Sequence, residues 1–509
     1  MMAAKAQPLA AIDIGSNAMR LVLAKLHANG ELEVVENRRE PVRLGHDVFL
    51  KGALSDATLE RAIAALVGFA AAIKEFGAEA VRAVATSAVR EASNRDQFVE
   101  RMLQATGIEL QAIPGAEEAR LTYLAAAGRV DLSKSSALLV DVGGGSVEVT
   151  LVQNGEIAFT SSHSLGAVRL LELLSSGEGG EAAFQKLAQE YTATLRGRIK
   201  AELKSQSVDF IVAMGGNAEA LADLAPAKRD ERGVAALPRA RLKELISEIA
   251  ALSYRERIDK WGLREDRADV ILPAALVYER VASAAKVDTI LVPYVGIKDG
   301  LLRDLVDELH GDRRTGVRRT QVRQAAIVLG RKYQFDESHA RQVARLALQL
   351  FDATAAVHEL DEEARLILEL AALLHDIGHF VEDSSHHKHS CYLIANSEIG
   401  GLTSAQSELI ANVARYHRKA FPKSSHAPYA ALGREQREQV SQLAGLLRIA
   451  DALDQEHDGK VLNLQLEVSD KKLALKIGGD SDLALERWAV QRKAELFEDA
   501  FGLKVKLAG

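Results

Sequence analysis

The pattern of an Asp, an apolar residue, a Gly and a polar residue occurs twice in this chain, each time between two apolar runs. Residues 9–24 hold the first copy, with Asp13, and residues 137–152 hold the second, with Asp141. An apolar run, a tight Gly loop and a second apolar run predict a β-hairpin. Gly also lets the backbone approach a ligand closely and leaves amide groups free for phosphate oxygens. We therefore expect two facing loops that clamp a phosphate chain.

The residues of both loops are the first site candidates. The expected phosphate-binding residues are Ser16 and Asn17 in the first loop and Gly143, Gly144, Gly145 and Ser146 in the second. The acidic residues beside them are Asp13, Asp141 and Glu148. They suit Mg²⁺ or Mn²⁺, because proteins hold Mg²⁺ through a few carboxylates and water. A weaker candidate is the pair Gly215 and Gly216, which either faces a phosphate or forms a tight turn from a strand into a helix.

Length and composition limit the class of protein. A chain of 509 residues is too long for one core and predicts roughly three or four domains. The composition, 48% apolar and 27% charged, is typical of a soluble globular protein, and no apolar run reaches the roughly 20 residues that span a bilayer. The single Cys391 excludes an internal disulfide. The first eight residues lack the apolar h-region of a signal peptide, so we do not expect export. We expect a cytoplasmic protein without a membrane partner.

The pattern of elements divides the chain into four expected domains. Residues 1–131 and 132–307 read as two α/β halves that share the opening three-strand pattern and enclose a cleft. Residues 308–458 show helical periodicity, and residues 459–509 alternate like a hairpin followed by a helix and a strand. A net charge of −7 argues against non-specific binding of nucleic acid, and we expect no specific nucleic-acid partner.

Four motifs in a fixed order carry a family resemblance. Residues 13–17, 86–90, 115–120 and 141–148 resemble the exopolyphosphatase and guanosine pentaphosphate phosphohydrolase family. The resemblance implies two duplicated actin-like ATPase (ribonuclease H-like) domains, an all-α domain similar to the HD superfamily and a small C-terminal α+β module. It also suggests a homodimer.

The resemblance assigns roles within this cleft. Arg90 would neutralise charge on the transferred phosphoryl group, and Glu118, the second Glu of the family's Gly-x-Glu-Glu-Ala-Arg motif, would orient the attacking water. Taken alone, Glu118 could equally belong to a solvated first helical turn that the helix dipole favours.

The leading expectation for function is an exopolyphosphatase that releases orthophosphate from the end of inorganic polyphosphate with Mg²⁺. Three alternatives remain open. One is removal of the 5′-γ-phosphate from guanosine pentaphosphate, with guanosine tetraphosphate as a related ligand. The second is a polyphosphate:ADP phosphotransferase, and the third is a non-enzymatic nucleotide sensor.

A second group of polar residues lies in the helical region. The order His339, His375-Asp376, His389, His417, Asp451 resembles the HD phosphohydrolase superfamily, whose motif binds one or two divalent metals. Imidazole with carboxylate suits Mn²⁺, Fe²⁺ or Zn²⁺ more than Mg²⁺. The alternative, which we place somewhat ahead, is a vestigial motif that lines a substrate channel.

Basic residues cluster in the same region of an otherwise acidic chain. The predicted polyphosphate track consists of Arg314, Arg318, Arg319, Arg415, Arg418 and Lys419. Arg and Lys bind successive phosphates well, although a run of charge is most often a solvated helix face.

Overall fold

The computed structural model describes residues 6–175, 180–204, 206–309, 315–418, 420–469, 471–478 and 482–508. Within these ranges the side chains of residues 175, 180–182, 315–318 and 508 are not described. The chain divides into two compact units, Met1–Gly316 and Val317–Gly509.

The first sheet of the first unit has the strand order β3-β2-β1-β4-β5. Its strands are β1 Gln7–Ile14, β2 Met19–Leu26, β3 Leu32–Glu40, β4 Ala80–Ala85 and β5 Leu110–Ala112. β1 pairs antiparallel with β2 and parallel with β4, and it is buried from Leu9 to Ile14. Burial on both faces explains why this strand reads as an uninterrupted apolar run.

The second sheet repeats this arrangement. Its strands are β6 Ser136–Val142, β7 Val147–Gln153, β8 Glu156–His163, β9 Phe210–Met214, β10 Ala235–Pro238 and β11 Thr289–Val292. The order β8-β7-β6-β9-β11 matches the first sheet strand for strand, with two antiparallel and two parallel pairings, and β10 is added at the edge. The predicted duplication of an α/β half is therefore confirmed.

Helices cover both sheets. They are α1 Leu44–Lys51, α2 Asp56–Phe76, α3 Ser87–Glu91, α4 Arg95–Thr106, α5 Gly115–Ala127, α6 Ala167–Ser175, α7 Gly180–Leu203, α8 Gly216–Leu224, α9 Arg239–Ala250, α10 Tyr254–Trp261, α11 Glu265–Ala268, α12 Ile271–Ala285 and α13 Ile297–Leu309. Local sequence sets their ends: the Ser55 hydroxyl accepts from Thr58 N at the start of α2, and Gly77 ends that helix with φ +70°. At the crossing of α5 and α13, Gly300 touches the Leu121 carbonyl where any larger residue would clash.

The second unit is mainly helical. Its helices are α14 Thr315–Lys332, which begins at the boundary, α15 Glu337–Ala353, α16 Ala355–His358, α17 Glu362–Leu374, a 3₁₀ helix Ile377–Phe380, α18 His386–Ala395, α19 Ser404–Arg415, α20 Ala427–Ala430, α21 Arg434–Ala452, α22 Ala484–Lys493 and α23 Glu495–Phe501. A three-stranded sheet of order β12-β13-β14 follows from Asn463–Ser469, Lys472–Gly478 and Lys504–Ala508.

The small C-terminal sheet shares its core with these helices. Leu473 and Leu475 of β13 and Phe497 of α23 belong to the same buried apolar cluster as α15, α17 and α21. Gly445 lets α21 approach α23 closely, because a Cβ at that position would lie 2.9 Å from Phe497 Cα. The four domain boundaries stay predictions. Among the described residues, no helix combines the length and apolarity needed to cross a bilayer.

Candidate active site

The two Gly loops of the first unit have the same local geometry and face each other. Gly15 N donates to Ala18 O (3.1 Å), and Gly143 N donates to Ser146 O (3.0 Å). A Cβ on Gly144 would lie 2.7 Å from Ser16 Cβ, so the loops are in contact. The facing loops predicted from the sequence are therefore present.

The carbonyl groups of the second loop are bound to the start of α6. Gly143 O and Gly144 O accept from Ala167 N (3.0 Å) and Val168 N (2.9 Å), and Gly145 O accepts from Arg169 Nε (2.7 Å). The N–H groups of Gly144 and Gly145 have no acceptor among the described residues. A loop that fixes its carbonyls and leaves its amides free is suited to phosphate oxygens.

The first loop is held by side chains. Ser16 Oγ lies 3.0 Å from Ser87 Oγ in a buried contact. Asn17 Nδ2 donates to Asp266 O (2.9 Å) and Asp266 Oδ2 (3.2 Å), so its amide is already engaged. Gly45 N donates to Ser16 O (2.8 Å) and fixes the loop against the start of α1. The phosphate-binding roles of Ser16 and Asn17 stay predictions.

Three buried carboxylates lie at the ends of the hairpin strands. Asp13 is the penultimate residue of β1, and Asp141 and Glu148 are direct partners across β6 and β7. Burial raises the pKa of Asp13, although Arg20 opposes the shift with a contact of 3.4 Å. Burial, Glu148 and Asp13 together raise the pKa of Asp141 to about 7, and burial also raises the pKa of Glu148. The positive charge near the cluster, mainly that of Arg20, is therefore too small to balance three ionised carboxylates.

The donor set fits a hard divalent cation. Asp13 Oδ1 and Glu148 Oε2 are buried and have no hydrogen-bond partner among the described residues. The three carboxylates do not form a group whose ligand atoms all lie within 4.8 Å of one another in the described part of the chain. Mg²⁺ usually keeps several waters and takes only one or two carboxylates, so it does not need such a closed cage.

Glu118 and Arg90 meet beside these carboxylates. Glu118 lies in the first turn of α5 and is buried, which excludes the reading of a solvated helix end. Arg90 Nη1, at the end of α3, donates to Glu118 Oε1 (2.5 Å) and to Ile113 O (2.6 Å). Burial and Glu148 raise the pKa of Glu118 well above its usual range, and Arg90 opposes this.

Gly215 closes the site from the second sheet. It precedes α8 with φ +85°, and a Cβ there would lie 2.8 Å from Asp141 Oδ1. Both features require glycine. A Cβ on Gly216 would touch the Arg267 guanidinium.

Most of the predicted site residues of the first unit line one cavity. It is lined by Asp13, Ser16, Asn17, Glu118, Asp141, Gly143, Gly144, Ser146, Gly215 and Gly216. Arg90, Gly145 and Glu148 are not among its lining residues. Arg90 therefore reaches the site through its contact with Glu118.

Sequence reasoning missed three arginines that line the same cavity, namely Arg20, Arg39 and Arg267. Arg20 is the cross-strand partner of Asp13, which the hairpin register could have indicated. Arg39 pairs with Asp266, and Arg267 donates to Asn217 Oδ1. Burial and Arg20 lower the pKa of Arg267 to about 10. No local sequence pattern marks Arg39 or Arg267.

Family models match both units. Residues 22–309 match the Ppx/GppA phosphatase family, and residues 318–493 match Ppx/GppA phosphatase, domain III. The chain belongs to the Ppx/GppA phosphatase family. It is thus a member of a hydrolase family, and the second unit holds the family's domain III.

Two relatives match along most of the Ppx/GppA chain. Both are named guanosine-5′-triphosphate,3′-diphosphate pyrophosphatase. The one from Vibrio vulnificus is 27% identical over 419 residues, which is 81% of each chain. The one from Aeromonas hydrophila is 26% identical over 472 residues, which is 92% of each chain.

Two solved structures match a little more than half of the chain. An Aquifex aeolicus family member is 26% identical with a TM-score of 0.52 and covers 60% of this chain and 100% of that one. An exopolyphosphatase from Cytophaga hutchinsonii, 24% identical with a TM-score of 0.55, covers 59% of this chain and 98% of that one and shows the fold alone.

Domain III of this Ppx/GppA phosphatase brings together most of the predicted His and Asp group. Asp376 Oδ1 lies 3.4 Å from His417 Nε2, and Asp376 Oδ2 lies 3.5 Å from His375 Nε2. His339 Nε2 and His375 Nε2 each lie 3.7 Å from Asp451 Oδ1. Two groups of potential metal ligands share Asp376, one with His339 and His375 and one with His379 and His386.

The structure does not bring His389 to this group. His386 is the histidine of α18 that meets Asp376, with Nε2 3.3 Å from Asp376 Oδ1. His389 is half-buried three residues later, and the described contacts do not join it to the cluster. The helix begins at His386, directly after Ser385 with φ +65°. The HD-type identity of the domain stays a prediction.

The predicted basic track is described only in part. Arg314 and Lys419 lie outside the described residues, and only the backbone of Arg318 is described. Arg319 pairs with Glu362 (2.5 Å), which fits the reading of a solvated helix face. Arg415 lies 5.9 Å from the centroid of the Tyr416 ring, and Arg418 Nη1 lies 3.5 Å from His386 Nδ1.

Proposed function

We propose that this chain hydrolyses a terminal phosphoanhydride with Mg²⁺ and that guanosine-5′-triphosphate,3′-diphosphate is its first substrate. The relatives that support this substrate match 81% and 92% of the chain, including both family segments. These relatives favour guanosine pentaphosphate over long polyphosphate as the substrate. The proposed reaction removes the 5′-γ-phosphate as orthophosphate.

One observation carries the proposal. Glu118 is a buried carboxylate with a raised pKa, and it lines a cavity together with the two phosphate-binding Gly loops. A raised pKa makes the Glu118 carboxylate a stronger proton acceptor than an ordinary glutamate. Glu118 would accept a proton from the attacking water, whose oxygen bonds to the terminal phosphorus while the bond to the bridging oxygen breaks. The bridging oxygen leaves with the shortened substrate, and the terminal phosphoryl group leaves as orthophosphate. The amides of Gly144 and Gly145 would stabilise the charge on the phosphoryl group.

Two kinds of cationic group would complete the reaction. Arg90, through its contact with Glu118, would fix the orientation of the base and lie near the transferred group. Asp13, Asp141 and Glu148 would hold Mg²⁺, directly or through water, and the ion would supply neutralisation of phosphate charge. Their raised pKa values and unpartnered oxygens support this role.

Polyphosphate is the second candidate substrate. Arg20, Arg39 and Arg267 line the cavity, and no aromatic side chain does so among the described residues. Successive guanidinium groups suit successive phosphates, and the absence of a stacking ring does not favour a base. The polyphosphate track and a homodimer remain part of this second proposal. If the track exists, ionic strength should weaken binding of long chains more than binding of short ones.

A substrate comparison tests the proposal. The full chain with Mg²⁺ is given guanosine pentaphosphate, short polyphosphate and long polyphosphate, and orthophosphate and nucleotide products are separated by anion exchange. We expect one guanosine tetraphosphate for each orthophosphate. Release of pyrophosphate, or no release of phosphate, would contradict the proposal. A parallel reaction with ADP and polyphosphate would reveal phosphotransfer as ATP.

A further inference from the structure

Asp304 of α13 is a buried acidic residue that does not line the cavity of the first unit. Each of its carboxylate oxygens accepts a hydrogen bond from a different arginine. Oδ1 accepts from Arg120 Nη1 (2.7 Å), and Oδ2 accepts from Arg82 Nη1 (2.5 Å). Arg120 belongs to α5 and Arg82 belongs to β4. One carboxylate therefore joins three elements of the first unit.

Arg120 fixes the rotation of α5 about its axis. Its guanidinium also binds Glu117 through two hydrogen bonds, from Nε to Oε2 (2.8 Å) and from Nη2 to Oε1 (2.7 Å). Residues three apart in a helix share a face, whereas adjacent residues are turned by about 100° from each other. Arg120 and Glu117 therefore lie on the face of α5 that contacts α13. Glu118 is turned away from that face and lines the cavity.

The first turn of α5 begins without a side-chain cap. Its N-cap is Pro114, whose side chain has no hydrogen-bond acceptor, whereas the Ser55 hydroxyl caps α2. Pro114 O accepts from the N–H groups of Glu117 and Glu118 (both 3.0 Å), but these bonds form the helix and do not select which face meets the cavity. The direction of Glu118 therefore depends on tertiary contacts such as those of Arg120.

Arg82 connects Asp304 with the arginine of the site. β4, which contains Arg82, is followed by α3, which contains Arg90. Arg82 Nη1 also donates to Glu308 Oε1 (2.8 Å), one turn after Asp304 on α13. These contacts fix β4, and the start of α3 after it, to α13. Glu118 and Arg90 bind each other, and each lies on or next to an element that is tied to Asp304.

Stability alone gives little reason for this network. Removing charged groups from water costs free energy, and apolar replacements of buried ion pairs are often as stable. Burial would lower the pKa of Arg120, but its hydrogen bonds and charge contacts with Glu117 and Asp304 raise it above its ordinary value, so the group stays charged. Hydrogen bonds to a planar guanidinium are directional, and they restrict how α5 and β4 can be placed.

We propose that Asp304 is a positioning residue for the base. By binding Arg120 and Arg82, it holds α5 and β4 in the placement in which Glu118 meets Arg90 and lines the cavity with the two Gly loops. Asp304 itself does not line the cavity, so it acts through these residues and not on the substrate. The inference rests on the proposed function, in which Glu118 is the base.

Asp304→Asn tests the proposal with little change in shape. The amide N–H group would face one of the two guanidinium groups, so that contact is lost. A misplaced base should lower kcat for phosphate release by about 10- to 100-fold with little change in KM. Asp307→Asn removes the same charge one turn later on α13 and should behave like the unmodified chain. An unchanged kcat in a folded Asp304→Asn chain would overturn the proposal.

A double substitution separates positioning from a general structural role. Single-turnover phosphate release, with enzyme in excess, is measured for Glu118→Gln and for the chain that combines Glu118→Gln with Asp304→Asn. If Asp304 acts through Glu118, its substitution has no base left to misplace, and the two rates should agree within about twofold. A loss from Asp304→Asn that is as large in the Glu118→Gln background as in the unmodified chain would show a structural role and overturn the inference.

Arg82→Met keeps the test decisive if Asp304→Asn does not fold, which circular dichroism and the melting temperature show. The Arg82 side chain is 18% exposed and that of Asp304 is 3% exposed, so substitution of Arg82 is easier to accommodate. Arg82→Met should lower kcat severalfold in the unmodified chain and not in the Glu118→Gln background. No loss in the first, or an equal loss in both, would overturn the inference alone. Full activity of Glu118→Gln would overturn the proposed base as well.

Discussion

The two units each bury a cluster of acidic groups, but they balance the charge in opposite ways. In the first unit, burial raises the pKa of Asp141 to about 7, and the neighbouring carboxylates add to the shift. In the second unit, burial alone would raise the pKa of Asp376, but His375 and His417 lower it to about 2. The histidine is affected in the complementary way. Burial would lower the pKa of His375, but the negative charges of Asp376 and Asp451 raise it to about 9.

The difference indicates which ion each cluster suits. The first cluster offers only oxygen and is short of positive charge, which favours a hard cation that arrives with a phosphate chain. The second offers imidazole nitrogen beside carboxylate oxygen, a donor set that suits transition metals more than Mg²⁺. It also contains a fixed cation, because Lys493 Nζ lies 2.6 Å from Asp451 Oδ2. We therefore expect the phosphatase chemistry in the first unit.

The largest expected effect comes from the base. Glu118→Gln removes the carboxylate that orients water but keeps the shape, so kcat should fall by about 10²–10⁴ with little change in KM. The measurement is steady-state phosphate release. Glu60→Gln, on the exposed face of α2, should behave like the unmodified chain. A drop in kcat of equal size in both variants would show that the effect is not specific.

The next effect concerns the acidic cluster. Asp141→Asn removes one buried negative charge, so the Mg²⁺ concentration for half-maximal activity should rise by about tenfold or more. Titration of activity with Mg²⁺ measures this. An unchanged Mg²⁺ requirement would remove Asp141 from the metal site.

The two clusters should also differ in the pH at which the metal-free chain loses stability. The pKa of Asp141, about 7, is above its unfolded value of 3.8, so its contribution is full below pH 3.8 and is lost as pH rises to 7. The pKa of His375, about 9, is above 6.5, so its contribution is lost between pH 6.5 and 9. Each loss amounts to a few kcal/mol at most, at about 1.4 kcal/mol per pKa unit.

Calorimetry from pH 4 to 9 with a chelator present measures both losses. Asp141→Asn should remove the loss of stability between pH 4 and 7, and His375→Gln should remove the loss between pH 6.5 and 9. If either substitution removed both losses, the two clusters would not be electrostatically separate.

The smallest expected effect is at Gly215 of the first unit. It distinguishes backbone strain at positive φ from the contact of a Cβ with Asp141. Gly215→Ala and Gly30→Ala both place alanine at positive φ, +85° and +82°, so each should lower the free energy of unfolding by about 1–2 kcal/mol. Only the Cβ at residue 215 meets Asp141, whereas nothing lies within 4 Å at residue 30. Activity should therefore fall severalfold in Gly215→Ala alone. Equal activity in the two variants would show that Gly215 is required only for its backbone.

The structural features that could be predicted from the sequence are those determined by residues close together in the chain. The hairpins follow from a Gly loop between apolar runs, and their repetition exposed the duplication of the sheets. Arg39 and Arg267 were missed because they come from a strand edge and a distant helix that only the tertiary fold brings to the cavity. The position of His386 beside Asp376 depends on the packing of α18 in the tertiary fold, which the order of His and Asp residues along the chain does not encode.

The most direct test of the comparison is phosphate release with Mg²⁺ alone. The full chain and Glu118→Gln are stripped of transition metals and assayed with guanosine pentaphosphate or polyphosphate. Our account predicts that the unmodified chain is active and that Glu118→Gln is not. An unmodified chain that stays inactive until Mn²⁺, Fe²⁺ or Zn²⁺ is restored, or an active Glu118→Gln variant, would contradict it.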